Sequence, residues 1–90
     1  MHAVVINVTI KDRDAAQSLL ENEVVPRASR APGFVAGYWM RGDDDRGVAV
    51  LVFESQEAAE AVVGMMGSGP PPDDPVSLDS AVVREVVAHA

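Results

Sequence analysis

The chain has 90 residues, of which 48% are hydrophobic, and its 14 acidic residues outnumber its 7 basic ones. A chain this short buries only about 60–65% of its unfolded surface, so we predict one modest core and a single domain over residues 1–90. The net charge of −7 repels phosphate backbones and anionic lipid, which argues against nucleic acids and membrane surfaces as partners.

The first half of the chain predicts a strand followed by a helix. The segment His2–Ile10 is rich in β-branched residues and has the pattern of a strand buried on both sides. Asp12 or Asp14 can cap the helix, because a carboxylate accepts hydrogen bonds from the free N–H groups of a first turn. Pro26 lacks an amide hydrogen, so we expect a kink or a stop near Val25.

The second half predicts two strands, a helix and a last strand. In chain order these are a strand over 34–41, a hairpin loop over 42–47, a strand over 48–54, a helix capped by Ser55 and ending near Met66, an exposed Pro- and Gly-rich loop over 67–75, and a strand over 76–88. The whole order is β-α-β-β-α-β. It predicts an α+β, ferredoxin-like fold with a four-stranded antiparallel sheet and two helices on one face.

Both faces of the predicted sheet are apolar, whereas a half-exposed antiparallel sheet shows polar residues on its wet side. We expect one set of side chains to form an uncovered face: Val4, Ile6, Val8, Ile10, Phe34, Ala36, Tyr38, Met40, Val48, Val50 and Val52. We expect the other set to face the helices: Val5, Asn7, Val35, Gly37, Trp39, Ala49, Leu51 and Phe53. An uncovered apolar face of that size predicts a homodimer formed through the sheet.

Three segments carry a resemblance to a known group of proteins: Ile6-Asn7-Val8, Ala31-Pro32-Gly33-Phe34 and Val52-Phe53-Glu54-Ser55-Gln56-Glu57-Ala58. With them the chain resembles, over nearly its whole length, the dimeric α/β-barrel superfamily, in particular small proteins like the antibiotic biosynthesis monooxygenases. The resemblance implies a homodimer whose two sheets form a shared barrel. It also implies a pocket in each subunit between the sheet and the helices.

The same resemblance bears on activity. Some members oxidise electron-rich polycyclic substrates with O₂ and no cofactor, whereas others bind and degrade haem. Asn7 matches the strand-one Asn that haem-degrading members place in their pocket. Those members also carry a Trp in the second helix and a His beyond it, but residues 61–64 here are Ala-Val-Val-Gly and no His follows in the Pro-rich loop. We therefore expect no haem, no other cofactor and no metal.

Several residues are candidates for the pocket. Asn7 is the candidate catalytic residue, because its amide can donate a hydrogen bond to a developing oxyanion or to dioxygen. Trp39, two residues from Gly37, and Phe53, which stands where a Trp often ends strand three in the family, are candidate stacking walls for an aromatic ligand. Met65 and Met66 are candidates for its floor.

Each candidate also has a structural alternative. Asn7 can satisfy a neighbouring backbone group, Trp39 and Phe53 can fill the core, and the two methionines can serve packing alone. The loop over 67–75 is a candidate lid or only a linker.

The sequence therefore predicts a homodimeric small-molecule-binding protein that resembles cofactor-independent monooxygenases acting on electron-rich aromatics. The alternative is a non-catalytic dimer that serves ligand binding or assembly only. The chain has no cysteine, which excludes thiol catalysis and disulfides. It shows no signal sequence or long apolar run, so we expect a cytoplasmic location.

Overall fold

A computed structural model describes residues 1–66 and 75–90 of the chain. The elements are β1 (His2–Ile10), α1 (Arg13–Leu19), a π-helical segment (Leu20–Val24), α2 (Val25–Ser29), β2 (Phe34–Arg41), β3 (Arg46–Phe53), α3 (Gln56–Met66) and β4 (Val76–Glu85). The predicted element order is confirmed, and β4 ends at Glu85 rather than Ala88. The predicted loop lies almost wholly outside the described residues.

The strands form one antiparallel sheet in the order β2-β3-β1-β4. This order, with the helical connections after β1 and β3, confirms the predicted ferredoxin-like fold. Helix α3 lies over β1, β3 and β4, whereas α2 contacts the edge strand β2. Helix α3 therefore lies over three strands of the sheet, whereas the first helical region is shown to reach the sheet through α2, at β2.

The first helical region begins at Asp12, whose carboxylate accepts a hydrogen bond of 3.1 Å from the Ala15 amide. The predicted interruption near Val25 is confirmed, and it is a π-helical segment rather than an end. There the Val25 amide donates to the Leu20 carbonyl, five residues back, which widens the helix immediately before Pro26. None of the helices within residues 1–66 and 75–90 is long and apolar enough to cross a lipid bilayer.

The second helix is tied to the core at its start. The Ala58 amide donates to the Ser55 hydroxyl at 3.2 Å, so Ser55 caps α3 as predicted. One turn later Ala59 is completely buried. It packs with sheet residues in one buried cluster: Val4, Ile6, Ala49, Leu51 and Phe53.

Candidate functional site

The pairing register decides which side chains share a face of the sheet. Val4 pairs with Leu51 and Ile6 with Ala49, and all four side chains belong to the cluster packed under α3. We call this side the helix face; it consists of Val4, Ile6, Val8, Phe34, Gly37, Trp39, Ala49, Leu51 and Phe53. The opposite side is the open face, formed by Val5, Asn7, Thr9, Ala36, Tyr38, Met40, Arg46, Val48, Val50, Val52, Ser80 and Val82.

The predicted faces were right for most of β2 and β3 but wrong for β1. Asn7 pairs with Val48 on the open face and is exposed, so it does not point towards the helices. Phe34 was also placed on the wrong face. The register shifts between Phe34 and Ala36, and the extra residue, Val35, turns Phe34 towards the core. Asn7 and Trp39 therefore lie on opposite sides of the sheet and cannot line one pocket.

Trp39 lies over Gly37, as the spacing predicted. A Cβ atom built on Gly37 would come within 2.8 Å of the indole Cη2 of Trp39 and 3.1 Å of Leu51 Cδ2. The indole is only partly buried and packs against the edge of the core cluster. A flat aromatic surface thus lies on β2, the strand that α2 contacts.

Phe53 is completely buried, which favours the alternative that it fills the core. Its ring meets Phe34 edge to face, with centroids 5.8 Å apart and planes at 76°. Of the two candidate floor residues, Met66 packs against the core, whereas Met65 is 82% exposed and does not point inward. The structure therefore leaves Trp39 as the predicted aromatic that still has an accessible surface.

The first helical region packs much less tightly than α3. Leu19 and Leu20 are only half-buried, and Val24 and Val25 are exposed. No residue of α1, the π-helical segment or α2 is fully buried, and none belongs to the core cluster or packs directly against it. An open groove of about 470 Å³ runs beside this region, which we call the helix groove; it is lined by Ala15, Ser18, Leu19, Asn22, Glu23 and Pro75.

A second cavity, of about 370 Å³, lies at one end of the open face. We call it the polar pocket; its lining residues are Asn7, Val8, Thr9, Arg46, Gly47, Asp79 and Ser80. Within it the Asn7 amide donates to the Ser80 hydroxyl at 3.1 Å, and the Thr9 hydroxyl donates to Asp79 Oδ2 at 2.8 Å. Asn7 thus bonds a side chain of β4, not the backbone group that the alternative interpretation proposed.

A β-bulge in β4 helps to form the polar pocket. Asn7 pairs with Ser80 and Val8 with Leu78, so Asp79 is an extra residue between them. The bulge brings the carboxylate of Asp79 to the same face as Ser80, where regular alternation would turn it to the helix side.

Sequence reasoning missed Thr9, Arg46, Asp79 and Ser80 as parts of a site. One signal was available in β1, where Asn7 and Thr9 are polar and alternate with apolar neighbours. That alternation is typical of a strand with one solvated side, and it indicates the open face. The bulge at Asp79 leaves no such trace in the local pattern.

Comparison with solved structures confirms the fold. A structure of the haem-degrading protein MhuD from Mycobacterium tuberculosis, with two haems bound in its active site, has a TM-score of 0.59 and 23% identity over 98% of each chain. A haem-free structure of that protein has a TM-score of 0.57 and 28% identity, covering 100% of this chain and 99% of that one. A monooxygenase from the gene ActVA-Orf6 of Streptomyces coelicolor, in complex with nanaomycin D, has a TM-score of 0.52 and 16% identity, covering 99% and 92%.

The chain is thus similar in fold, over its whole length, to a haem-degrading protein and to a monooxygenase. The predicted resemblance to antibiotic biosynthesis monooxygenase-like proteins of ferredoxin-like fold is confirmed by these structures. No protein-family model matches the chain, and no curated protein sequence matches it.

Proposed function

We propose that the chain is a homodimeric small-molecule-binding protein whose ligand is an electron-rich polycyclic aromatic. The ligand lies between the first helical region and the sheet, against the indole of Trp39. The observation that carries this proposal is the loose packing of α1, the π-helical segment and α2, none of whose residues is fully buried.

The two helical regions differ in how tightly they pack, and a ligand site needs apolar surface that is left accessible. Helix α3 buries Ala59 completely, and its Val62, Val63 and Met66 pack against the core cluster. The first region keeps its apolar side chains, Leu19 and Leu20, only half-buried, and Leu19 lines the helix groove. Apolar surface that the chain does not bury itself is the usual wall of a small-molecule site.

The dimer is proposed through the open face. Tyr38 is 61% exposed and Met40 49% exposed, and neither is covered by a helix within residues 1–66 and 75–90. Between them and the polar pocket lie the half-buried valines of β1, β3 and β4: Val5, Val48, Val50, Val52 and Val82. A second copy is the occupant that the family resemblance supports, since an isologous interface brings one surface against itself.

Oxidation of the bound aromatic by O₂ without a cofactor is the second candidate function. It is favoured by the similarity in fold to the monooxygenase bound to nanaomycin D. Asn7 lies on the opposite face from Trp39, so it is not the group that polarises a substrate bound against Trp39. We therefore propose ligand binding as the main function. Oxidation of the ligand becomes the better proposal if the protein consumes O₂ when the ligand is present.

The test uses Trp39, the single tryptophan of the chain, as its reporter. Nanaomycin D is titrated into the protein and the quenching of tryptophan emission is followed, with binding measured in parallel by calorimetry. We expect saturable binding that weakens about tenfold or more in Trp39→Leu, because the stacking surface is lost. The matched control is Tyr38→Leu, an aromatic on the opposite face, which leaves ligand affinity unchanged.

An absence of saturable binding, or equal binding by Trp39→Leu and the unchanged chain, would overturn the proposed cleft. An oxygen electrode separates the two candidate functions when the ligand is an electron-rich polycyclic phenol such as a dihydroxynaphthalene, since only the monooxygenase accelerates its oxidation by O₂. A parallel titration with haemin tests the expected absence of haem. A Soret shift that saturates at a fixed stoichiometry would contradict that expectation.

A further inference from the structure

We propose that the polar pocket is a second binding site, for a small zwitterion that carries both a carboxylate and an ammonium group, the chemistry of a free amino acid. The pocket lies on the open face, so this site is separate from the cleft proposed for the aromatic ligand. Its volume of about 370 Å³ falls in the range of small-molecule sites in proteins.

Charges of opposite sign lie on the two strands that flank β1 at the polar pocket. Arg46 of β3 pairs with Thr9 of β1, and Thr9 in turn donates to the carboxylate of Asp79 on β4. A guanidinium and a carboxylate therefore flank the central strand on its two sides. The ion pair seen in this part of the chain joins Asp45 to Arg13 at 3.7 Å and involves neither of them.

The distance between the two strands that carry these charges suits one small molecule with two charged groups. Neighbouring strands lie about 4.8 Å apart, so the backbones of β3 and β4 are separated by roughly 10 Å across β1. A carboxylate held by Arg46 and an ammonium held by Asp79 fit that span when they belong to one small molecule. A simple anion pairs only with Arg46 and is repelled by Asp79. A simple cation pairs only with Asp79 and is repelled by Arg46.

Hydrogen-bonding side chains lie between the two charges of the polar pocket. The Asn7 amide is oriented by its bond to Ser80, which leaves the Asn7 carbonyl oxygen as an acceptor and the Ser80 hydroxyl as a donor. Asp79 keeps a second carboxylate oxygen beyond the one that Thr9 bonds. The floor of the pocket therefore offers an acceptor near Asp79 for an ammonium group, and a donor beside it.

The β-bulge in β4 also supports a binding site here. The extra residue in β4 is what brings the Asp79 carboxylate to this face. Bulges commonly re-aim a side chain next to a functional site, and here the result is one negative charge opposite one positive charge.

The experiment is a chemical-shift titration of the isotope-labelled full chain with each of the common L-amino acids at millimolar concentration. Propionate and ethylamine serve as matched probes for alanine, since one lacks the ammonium group and the other lacks the carboxylate. We expect saturable shifts at Asn7, Thr9 and Ser80 for at least one amino acid. Neither singly charged probe should produce them.

Two variants and two controls complete the test. Arg46→Gln and Asp79→Asn should each weaken amino-acid binding about tenfold or more, because each removes one charge-assisted contact. Arg41→Gln and Asp43→Asn remove exposed charges outside the pocket and should leave binding unchanged. Nanaomycin D binding should be unaffected in all four, which separates this site from the proposed cleft.

Three results would overturn the proposal. The first is the absence of saturable shifts with every amino acid. The second is propionate or ethylamine binding as tightly as alanine, which would show that one charge suffices. The third is dissociation of a dimer by Arg46→Gln or Asp79→Asn in sedimentation, with no effect on amino-acid binding, which would assign the two charges to contacts between copies.

Discussion

The two faces of one sheet differ in what covers them more than in what they contain. On the helix face, Val4 and Phe53 are completely buried by α3 and by their neighbours. On the open face, Tyr38 and Met40 stay about half exposed although the strands beneath them are the same. Alternate residues of each strand thus serve two purposes: a core within the chain, and a surface that residues 1–66 and 75–90 leave uncovered.

The open face is itself divided. Its centre consists of valines, whereas its end carries Asn7, Thr9, Arg46, Asp79 and Ser80 around the polar pocket. An apolar centre is suited to burial against a second copy, and a polar end is suited to a hydrated ligand. Substitutions on the two faces of the sheet test this division.

The largest effect is expected in the core of the helix face. Phe53→Ala removes a completely buried ring and its edge-to-face contact with Phe34. It should lower the free energy of unfolding by about 3–5 kcal/mol, measured by urea denaturation. Val35→Ala, at the exposed extra residue of β2, should stay within about 0.5 kcal/mol of the unchanged chain. Equal losses in the two variants would contradict the packing of Phe53 in the core.

The next effect concerns the centre of the open face. Val50→Lys places a cation without a partner in the proposed interface, and burying it costs about 3 kcal/mol or more. We expect the dimer to dissociate in sedimentation while circular dichroism stays unchanged, because the helix face is untouched. Ala61→Lys, on an exposed position of α3, is the control and should leave the dimer intact. A stable Val50→Lys dimer would rule out this face.

A smaller effect is expected where Trp39 lies over Gly37. Gly37→Ala brings a methyl group to 2.8 Å from the indole, so the ring has to move. Such overpacking costs about 1–3 kcal/mol, and it should shift the tryptophan emission and weaken nanaomycin D binding. Unchanged emission would show that the indole does not rest on Gly37. Gly64→Ala, where an added Cβ meets open space on α3, is the matched control.

The smallest effect compares the two helix caps. Asp12→Ala and Ser55→Ala each remove one capping bond, at a cost of about 1 kcal/mol to the helix. Because α3 packs on the core and α1 does not, Ser55→Ala should lower global stability. Asp12→Ala should mainly raise hydrogen exchange within residues 13–19. Equal protection of α1 in both variants would contradict the loose packing of the first helical region.

The elements and their order could be predicted from the sequence because β-branched runs, Ser55, Asp12 and Pro26 each act locally. The faces of β1 were placed wrongly, since Val4, Ile6 and Val8 are as suited to a core as to an interface, although the polar residues Asn7 and Thr9 mark the solvated side. Register decided the matter, and it depends on pairing with β3 and on extra residues at Val35 and Asp79. Because register could not be read from the local sequence, Asn7 was placed in the wrong pocket and the polar pocket was not predicted.

The mass of the chain in solution shows directly whether a second copy covers the open face. If the open face is covered by a second copy, sedimentation at micromolar concentration should give twice the 9.5 kDa of one chain. Dilution or Val50→Lys should return it to the single-chain mass. A lone 9.5 kDa species at micromolar concentration would contradict the proposal that this sheet has one face for its own core and one for a partner.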